Sequence, residues 1–174
     1  MRSRPATARC RPLFSAKVSP LVITTRFELG APVDAAWAYL LDVQKIAHCV
    51  PGASLTEVVD DKTYVGKVEV KLGPIGLSYK GRIVIENTDP ASHTVRIKAE
   101  GAETRGRGGA SALVTAELAA SEQGTSVVMN TDLAVSGVVA QFGRTGVMQE
   151  VAQRMAQRFA SCVDQELKAA TAAG

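Results

Sequence analysis

From Leu21 the chain alternates: Ile23, Thr25, Phe27 and Leu29 stand against Thr24, Arg26 and Glu28, the period of two that gives a strand one buried face. Gly30, Ala31 and Pro32 stop that strand. Pro32 is placed to open a helix, with Val33, Trp37, Leu40 and Leu41 on one face. A second short helix is predicted from Val43 to Ala47, and Cys49-Val50-Pro51-Gly52 then reads as a turn.

Six strand-like segments follow without a helical period, separated by turn signals such as Asp60-Asp61, Gly73-Pro74, Asp89-Pro90 and Gln123-Gly124. Their inward positions are Tyr64, Gly66, Val68, Val70 and Leu72; then Leu77, Tyr79, Gly81, Ile83 and Ile85, with Val84 an exposed exception. Val95, Ile97, Ala99 and Gly101 come next, followed by Val114, Ala116 and Leu118, and finally Val127, Met129, Thr131, Leu133 and Val135. From about Val139 to Ala170, apolar residues recur at three- or four-residue spacing (Val147, Val151, Met155, Phe159, Cys162 and Val163), predicting one long amphipathic helix. The expected fold is α+β and of the helix-grip type. Two short helices follow strand 1, and a seven-stranded curved antiparallel sheet wraps around a long C-terminal helix.

Six predicted inward positions, Gly66, Gly81, Ala99, Gly101, Ala112 and Ala116, are smaller than a solid core would use. They signal either space kept for a ligand or bends where the sheet coils. On the first reading the cavity lining is Leu41, Val68, Val70, Leu77, Tyr79, Gly81, Ile83, Ile97, Ala99, Val114, Ala116, Met129, Thr131, Phe142, Val147, Val151 and Met155. That set carries no charge, so the guest is an apolar small molecule such as a steroid, acyl chain or quinone, with Tyr79 or Thr131 offering one hydrogen bond. The segment from Gly137 to Gly143 is expected to cross and gate the cavity mouth.

Composition narrows the picture. In 174 residues, 46% are apolar, enough for one domain with a real core. No apolar stretch approaches the ~20 residues of a membrane-spanning helix. The net charge of +3 is outweighed by Arg2, Arg4, Arg9, Arg11 and Lys17 alone. Residues 21–170, the expected domain, are therefore slightly acidic and offer no nucleic-acid footprint. Residues 1–20 read as a disordered basic tail whose composition resembles a transit peptide, and residues 171–174 as a short C-terminal tail.

Cys10, Cys49 and Cys162 are odd in number and form no C-x-x-C pair, so the spacing indicates neither a disulfide framework nor a metal site, and a reducing cytoplasm is the expected compartment. Catalytic constellations are thin. His48 and His93 have no nucleophile or carboxylate at motif spacing, and no catalytic residue is assigned. Glu69, Glu86, Glu100 and Glu117 fall on solvent-facing positions. The glycine-rich run from Gly101 to Gly109 lacks the strand and helix a phosphate loop requires, and is expected to be a mobile hairpin at the cavity rim. Trp37 and Phe159 read as core. Arg144, Arg154 and Arg158 read as the solvated face of the long helix.

Several motifs together resemble one family: Phe27 with Ala31-Pro32-Val33 and Trp37; Cys49-Val50-Pro51-Gly52-Ala53; Val70-Lys71-Leu72-Gly73-Pro74-Ile75 with Tyr79-Lys80-Gly81; and Gly137 to Phe142-Gly143. Over roughly Val22 to Lys168 the chain resembles the carbon monoxide dehydrogenase G-subunit (CoxG) proteins, a branch of the START-like (SRPBCC) superfamily. The resemblance implies a helix-grip accessory protein working with a molybdenum-containing carbon monoxide dehydrogenase or related hydroxylase. It would recruit that enzyme to the inner face of the cytoplasmic membrane, as a peripheral contact, or bind a respiratory quinone (menaquinone or ubiquinone), with no covalent cofactor.

Three readings stay open at this point: a non-catalytic lipid or quinone carrier, a cyclase or aromatase of the kind START-like folds also support, and a recruitment factor with an idle cavity.

Overall fold

The computed structural model describes residues 19–137, 140 and 146–172. β1 (Ser19–Leu29) leads into α1 (Val33–Leu40), α2 (Val43–Ile46) and a 3-10 turn at Ala47–Cys49. Six strands follow: β2 (Ala53–Val58), β3 (Thr63–Leu72), β4 (Ile75–Asp89), β5 (Thr94–Glu103), β6 (Gly109–Ser121) and β7 (Gly124–Val135). The described part of the last helix, α3, is Val147–Ala172. The seven strands form one sheet in the order β1-β7-β6-β5-β4-β3-β2, antiparallel at every pairing. The short helices carry the chain from one sheet edge to the other, and the meander then returns it to β1. This is the helix-grip architecture expected from the order of elements.

α3 begins at Val147, later than the periodicity suggests, directly after Gly146 at φ +73°. The proposed gate at Phe142, with Arg144 and the nearby start of the expected helix, lies outside the described residues. Besides covering the sheet, α3 closes its first edge: Gln149 and Gln153 donate from Nε2 to the Thr24 and Arg26 carbonyls at 2.8 and 3.2 Å. Asp164 accepts from the Gly30 amide at 2.7 Å. Those bonds occupy backbone groups that an edge strand would otherwise present to another chain.

Two apolar clusters form the interior. The larger gathers Phe27, Leu29, Trp37, Tyr64, Leu118, Val127 and Val163 beneath the short helices; the smaller centres on Leu72, Leu77 and Val135. Trp37 meets His93 edge to face at 5.5 Å, and His93 Nε2 lies 3.1 Å from the Asp34 carboxylate. The alternation in β4 is imperfect. Ile83, expected inward, is 37% exposed, whereas Val84, expected outward, is half-buried. A bulge between Ile85 and Asn87 in the β4–β5 pairing interrupts the strict period here.

The cysteines correct the sequence reading. Cys49, at the end of the 3-10 turn, and Cys162, on α3, are joined by a disulfide across 113 residues, with Cα atoms 5.4 Å apart. Spacing in sequence carried no trace of it, because the partners meet only when α3 packs beside the turn.

Candidate functional site

Between the sheet and α3 lies a cavity of about 480 Å³, within the usual span of small-molecule sites. Its wall is built strand by strand: Ile23 and Thr25 from β1, Val70 and Leu72 from β3, Leu77 and Tyr79 from β4, Val114 from β6, and Met129, Thr131, Leu133 and Val135 from β7. Register explains the β3–β4 portion, since Val70 sits opposite Leu77 and one hairpin turns both inward. The helix contributes Met148, Val151, Ala152, Met155, Ala156 and Phe159, a stripe at helical spacing, and Val50 and Pro51 complete the wall beside the disulfide. Phe159 also meets Phe27 edge to face at 5.9 Å, so it is both core and lining.

Val70, Leu77, Tyr79, Val114, Met129, Thr131, Val151 and Met155 therefore stand around the cavity. Other residues expected there do not. Leu41 and Ile97 pack against the larger cluster, in which Ala116 is buried, and Val147 packs against the smaller one. Val68, Gly81, Ile83 and Ala99 are also absent from the lining.

The small-residue argument fails for a physical reason. A Cβ on Gly81 would lie 2.0 Å from the Glu100 carbonyl oxygen, and one on Gly66 2.7 Å from that of Ser54. These glycines permit close backbone approach where the sheet coils. None of the six small positions lines the cavity. The space comes from the stand-off between sheet and helix, bounded by full-sized Val, Leu and Met side chains. The alternation rule could have supplied Leu72, Leu133 and Val135, and the helical period Met148, Ala152 and Ala156. Val50 and Pro51 required the tertiary fold.

No charged side chain lines the cavity, and Tyr79 is its one ionisable residue among the described residues. The Tyr79 hydroxyl is buried and has no hydrogen-bond partner. Burial pushes its pKa up, the nearby Glu103 carboxylate adds to the rise, and Arg107 opposes it, so the phenol stays protonated and can donate. Tyr64, the other inward tyrosine, has already donated its hydroxyl to the Asp61 carbonyl at 2.9 Å.

Behind Tyr79 stands a residue the sequence reading missed. Glu103 is opposite Tyr79 in the β4–β5 ladder, on the inward phase of β5, and its side chain is wholly enclosed. It accepts from the backbone amides of Arg105 and Arg107 at 2.8 and 3.1 Å and from Arg107 Nη2 at 3.1 Å. Arg107 Nη2 also donates to the Gly76 carbonyl at 2.8 Å, tying two hairpins together. The glycine-rich run is thus wound around the protein's own carboxylate, rather than left as the slack loop expected. Two of its amides, which a phosphate would need, are occupied.

The Arg107 hydrogen bond, helped by the two amides against the opposing effect of desolvation, lowers the Glu103 pKa from 4.5 to about 2. A depressed carboxylate pKa stabilises the fold fully above the unfolded value and loses that contribution as pH falls toward the folded value. Wild-type urea midpoints are therefore expected to drop between pH 4.5 and about 2 more steeply than those of Glu103→Gln. Parallel acid limbs for the two proteins would contradict this assignment.

At the other end of the wall, His48 Nε2 lies 3.4 Å from Glu166 Oε1 and 3.7 Å from Cys49 Sγ. His48 does not face the cavity. Among the described residues no helix is long and apolar enough to cross a membrane.

Known proteins with this geometry bear on what the cavity is for. A conserved protein from Geobacillus kaustophilus matches with a TM-score of 0.73 at 21% identity, over 85% of this chain and 95% of that one. The Mll3558 protein from Rhizobium loti matches at 0.58 and 16%, over 83% and 97%. The Zhui aromatase/cyclase from Streptomyces sp. R1128 matches at 0.55 and 16%, over 87% and 94%. At these identities the likeness is one of fold. No curated protein is similar in sequence at a significant level. The family model for the carbon monoxide dehydrogenase G-subunit, CoxG, however, matches residues 26–168. That span takes in the cavity-lining strands, the Val50-Pro51 turn and α3, and on it the chain belongs to the CoxG family of carbon monoxide dehydrogenase proteins.

Proposed function

We propose that this chain is a non-catalytic carrier whose cavity takes up a respiratory quinone, menaquinone or ubiquinone, and that it works beside a molybdenum-containing carbon monoxide dehydrogenase or a related hydroxylase. The observation that carries the reading is an uncharged cavity with a single buried phenol hydroxyl left unpartnered. A buried donor without a partner costs about 1–3 kcal/mol, and a guest carrying a carbonyl oxygen on an apolar body removes that cost. A quinone is such a guest. Family membership supports the partner, and the cavity supports the cargo. Delivery of electrons from the dehydrogenase to the respiratory chain, or recruitment of the enzyme as a peripheral contact at the inner face of the cytoplasmic membrane, would follow from the two together.

The cyclase alternative draws on the Streptomyces neighbour. It needs an acid or base against the substrate, and Tyr79 is the one residue of the described wall that could serve. A carrier and an enzyme part ways in one variant. Tyr79→Phe is expected to weaken binding of a short-chain menaquinone about five- to tenfold, the worth of one hydrogen bond, while the melting temperature holds or rises because an unpaired hydroxyl has gone. Equilibrium dialysis and thermal melts read both. Unchanged affinity would remove Tyr79 from the ligand contact and leave the carrier reading without its polar anchor.

A further inference from the structure

Outside the cavity, four donor atoms from two elements converge. His48 and Cys49 come from the 3-10 turn, and Cys162 and Glu166 are one turn apart on the same face of α3. The ring nitrogen and both sulfurs lie within 4.8 Å of one another, and Glu166 Oε1 is 3.4 Å from the same nitrogen. We infer that, when the Cys49–Cys162 disulfide is reduced, these four residues form a tetrahedral site for zinc or a similar divalent transition metal.

The distances carry the argument. Zinc bonds of about 2.3 Å to sulfur and about 2.0–2.1 Å to nitrogen or oxygen, at tetrahedral angles, place N and S ligand atoms about 3.6 Å apart and N and O atoms about 3.3 Å apart. The protein already holds His48 Nε2 at 3.7 Å from Cys49 Sγ and at 3.4 Å from Glu166 Oε1. Only the sulfurs must part, to about 3.8 Å, and Cα atoms 5.4 Å apart leave room for that by side-chain rotation. Two cysteines, a histidine and a carboxylate are an ordinary zinc donor set.

An outer contact is also in place. Tyr39 donates its hydroxyl to Glu166 Oε2 at 3.4 Å, orienting the carboxylate as outer hydrogen bonds do in metal sites. The His48 and Glu166 side chains are 58% and 47% exposed, so an ion reaches the site from solvent.

The chemistry balances in two steps. A dithiol reductant supplies two electrons and two protons to the disulfide and is itself oxidised to a disulfide. The resulting thiols then release two protons as they bind one metal ion, with His48 neutral. The oxidised and metal-bound forms each clamp α3 to the turn whose next residues, Val50 and Pro51, line the cavity. The reduced, metal-free form does not. The site thereby gives the same clamp in oxidising and in reducing surroundings.

The test uses the full chain carrying Cys10→Ser, so that the third cysteine contributes nothing. The protein is reduced and titrated with Co²⁺, then with Zn²⁺ in competition. One equivalent of Co²⁺ should bind with a thiolate-to-metal charge-transfer band and tetrahedral visible bands, and Zn²⁺ should displace it and raise the melting temperature. The oxidised protein should show none of these. His48→Ala and Glu166→Gln alter exposed side chains and leave the fold in place; each is expected to weaken Zn²⁺ at least about tenfold. Absence of stoichiometric uptake by the reduced protein, or uptake equally tight in both variants, would overturn the site.

Discussion

Filling the cavity with Val114→Phe and Val151→Phe together is expected to weaken binding of a short-chain menaquinone about 100-fold or more, while the urea midpoint stays near wild type. The two residues face the cavity from β6 and from α3, so the added rings approach one another across the space a ligand would occupy. Overpacking a solid core typically costs about 1–3 kcal/mol; placing the same atoms in a void of about 480 Å³ recovers contacts in place of creating clashes. Equilibrium dialysis with the quinone and a chemical denaturation curve separate the two effects. A large loss of stability would mean that the cavity closes in solution. Full affinity in a stable variant would place the ligand elsewhere. If affinity is lost but electrons from the partner dehydrogenase still reach the respiratory chain, the recruitment reading gains over the carrier.

Removing the disulfide is the second large effect. Cys49→Ser with Cys162→Ser, measured by urea unfolding in the presence of a chelator, is expected to cost about 2–4 kcal/mol relative to the oxidised protein. The cross-link spans 113 residues and restricts most of the unfolded chain. Besides global stability, the variant should release bound quinone faster, because Val50 and Pro51 directly follow Cys49 and form part of the cavity wall. A difference below about 1 kcal/mol would mean that the bond does not persist in solution. Zinc restores part of the loss in the reduced wild type but not in the serine variant, which links this measurement to the metal site without depending on it.

Much of the fold was legible because its elements are long and strictly periodic. Ile23 to Leu29, Tyr64 to Leu72 and Val127 to Val135 alternate without a break, and the buried positions follow that alternation. Where a bulge intrudes, as at Ile85 to Asn87, Ile83 and Val84 depart from it. The site was half legible. Val70, Leu77, Met129, Thr131, Val151 and Met155 follow from face and period, but which stretch of a face borders empty space depends on where α3 stands off from the sheet. Gly81 and Ala116 misled because a small residue has two physical uses, close approach and vacancy, and a single sequence does not distinguish them. Glu103 lay in plain sight on the inward phase of β5. Its significance came from its partners, Arg107 and the Arg105 amide.

Local pattern along the chain was enough to set the order of strands and helices, the inward face of nearly every strand and the absence of charge from the predicted lining, because these depend on neighbours a few residues apart. It took the packed molecule to bring Cys49 to Cys162, to join His48 and Glu166 to them, to leave Tyr79 without a partner, and to open the cavity between two packed clusters. Each of those depends on the position of α3 against the turn and the sheet, and that position is a balance of contacts among segments more than a hundred residues apart, which no local pattern encodes.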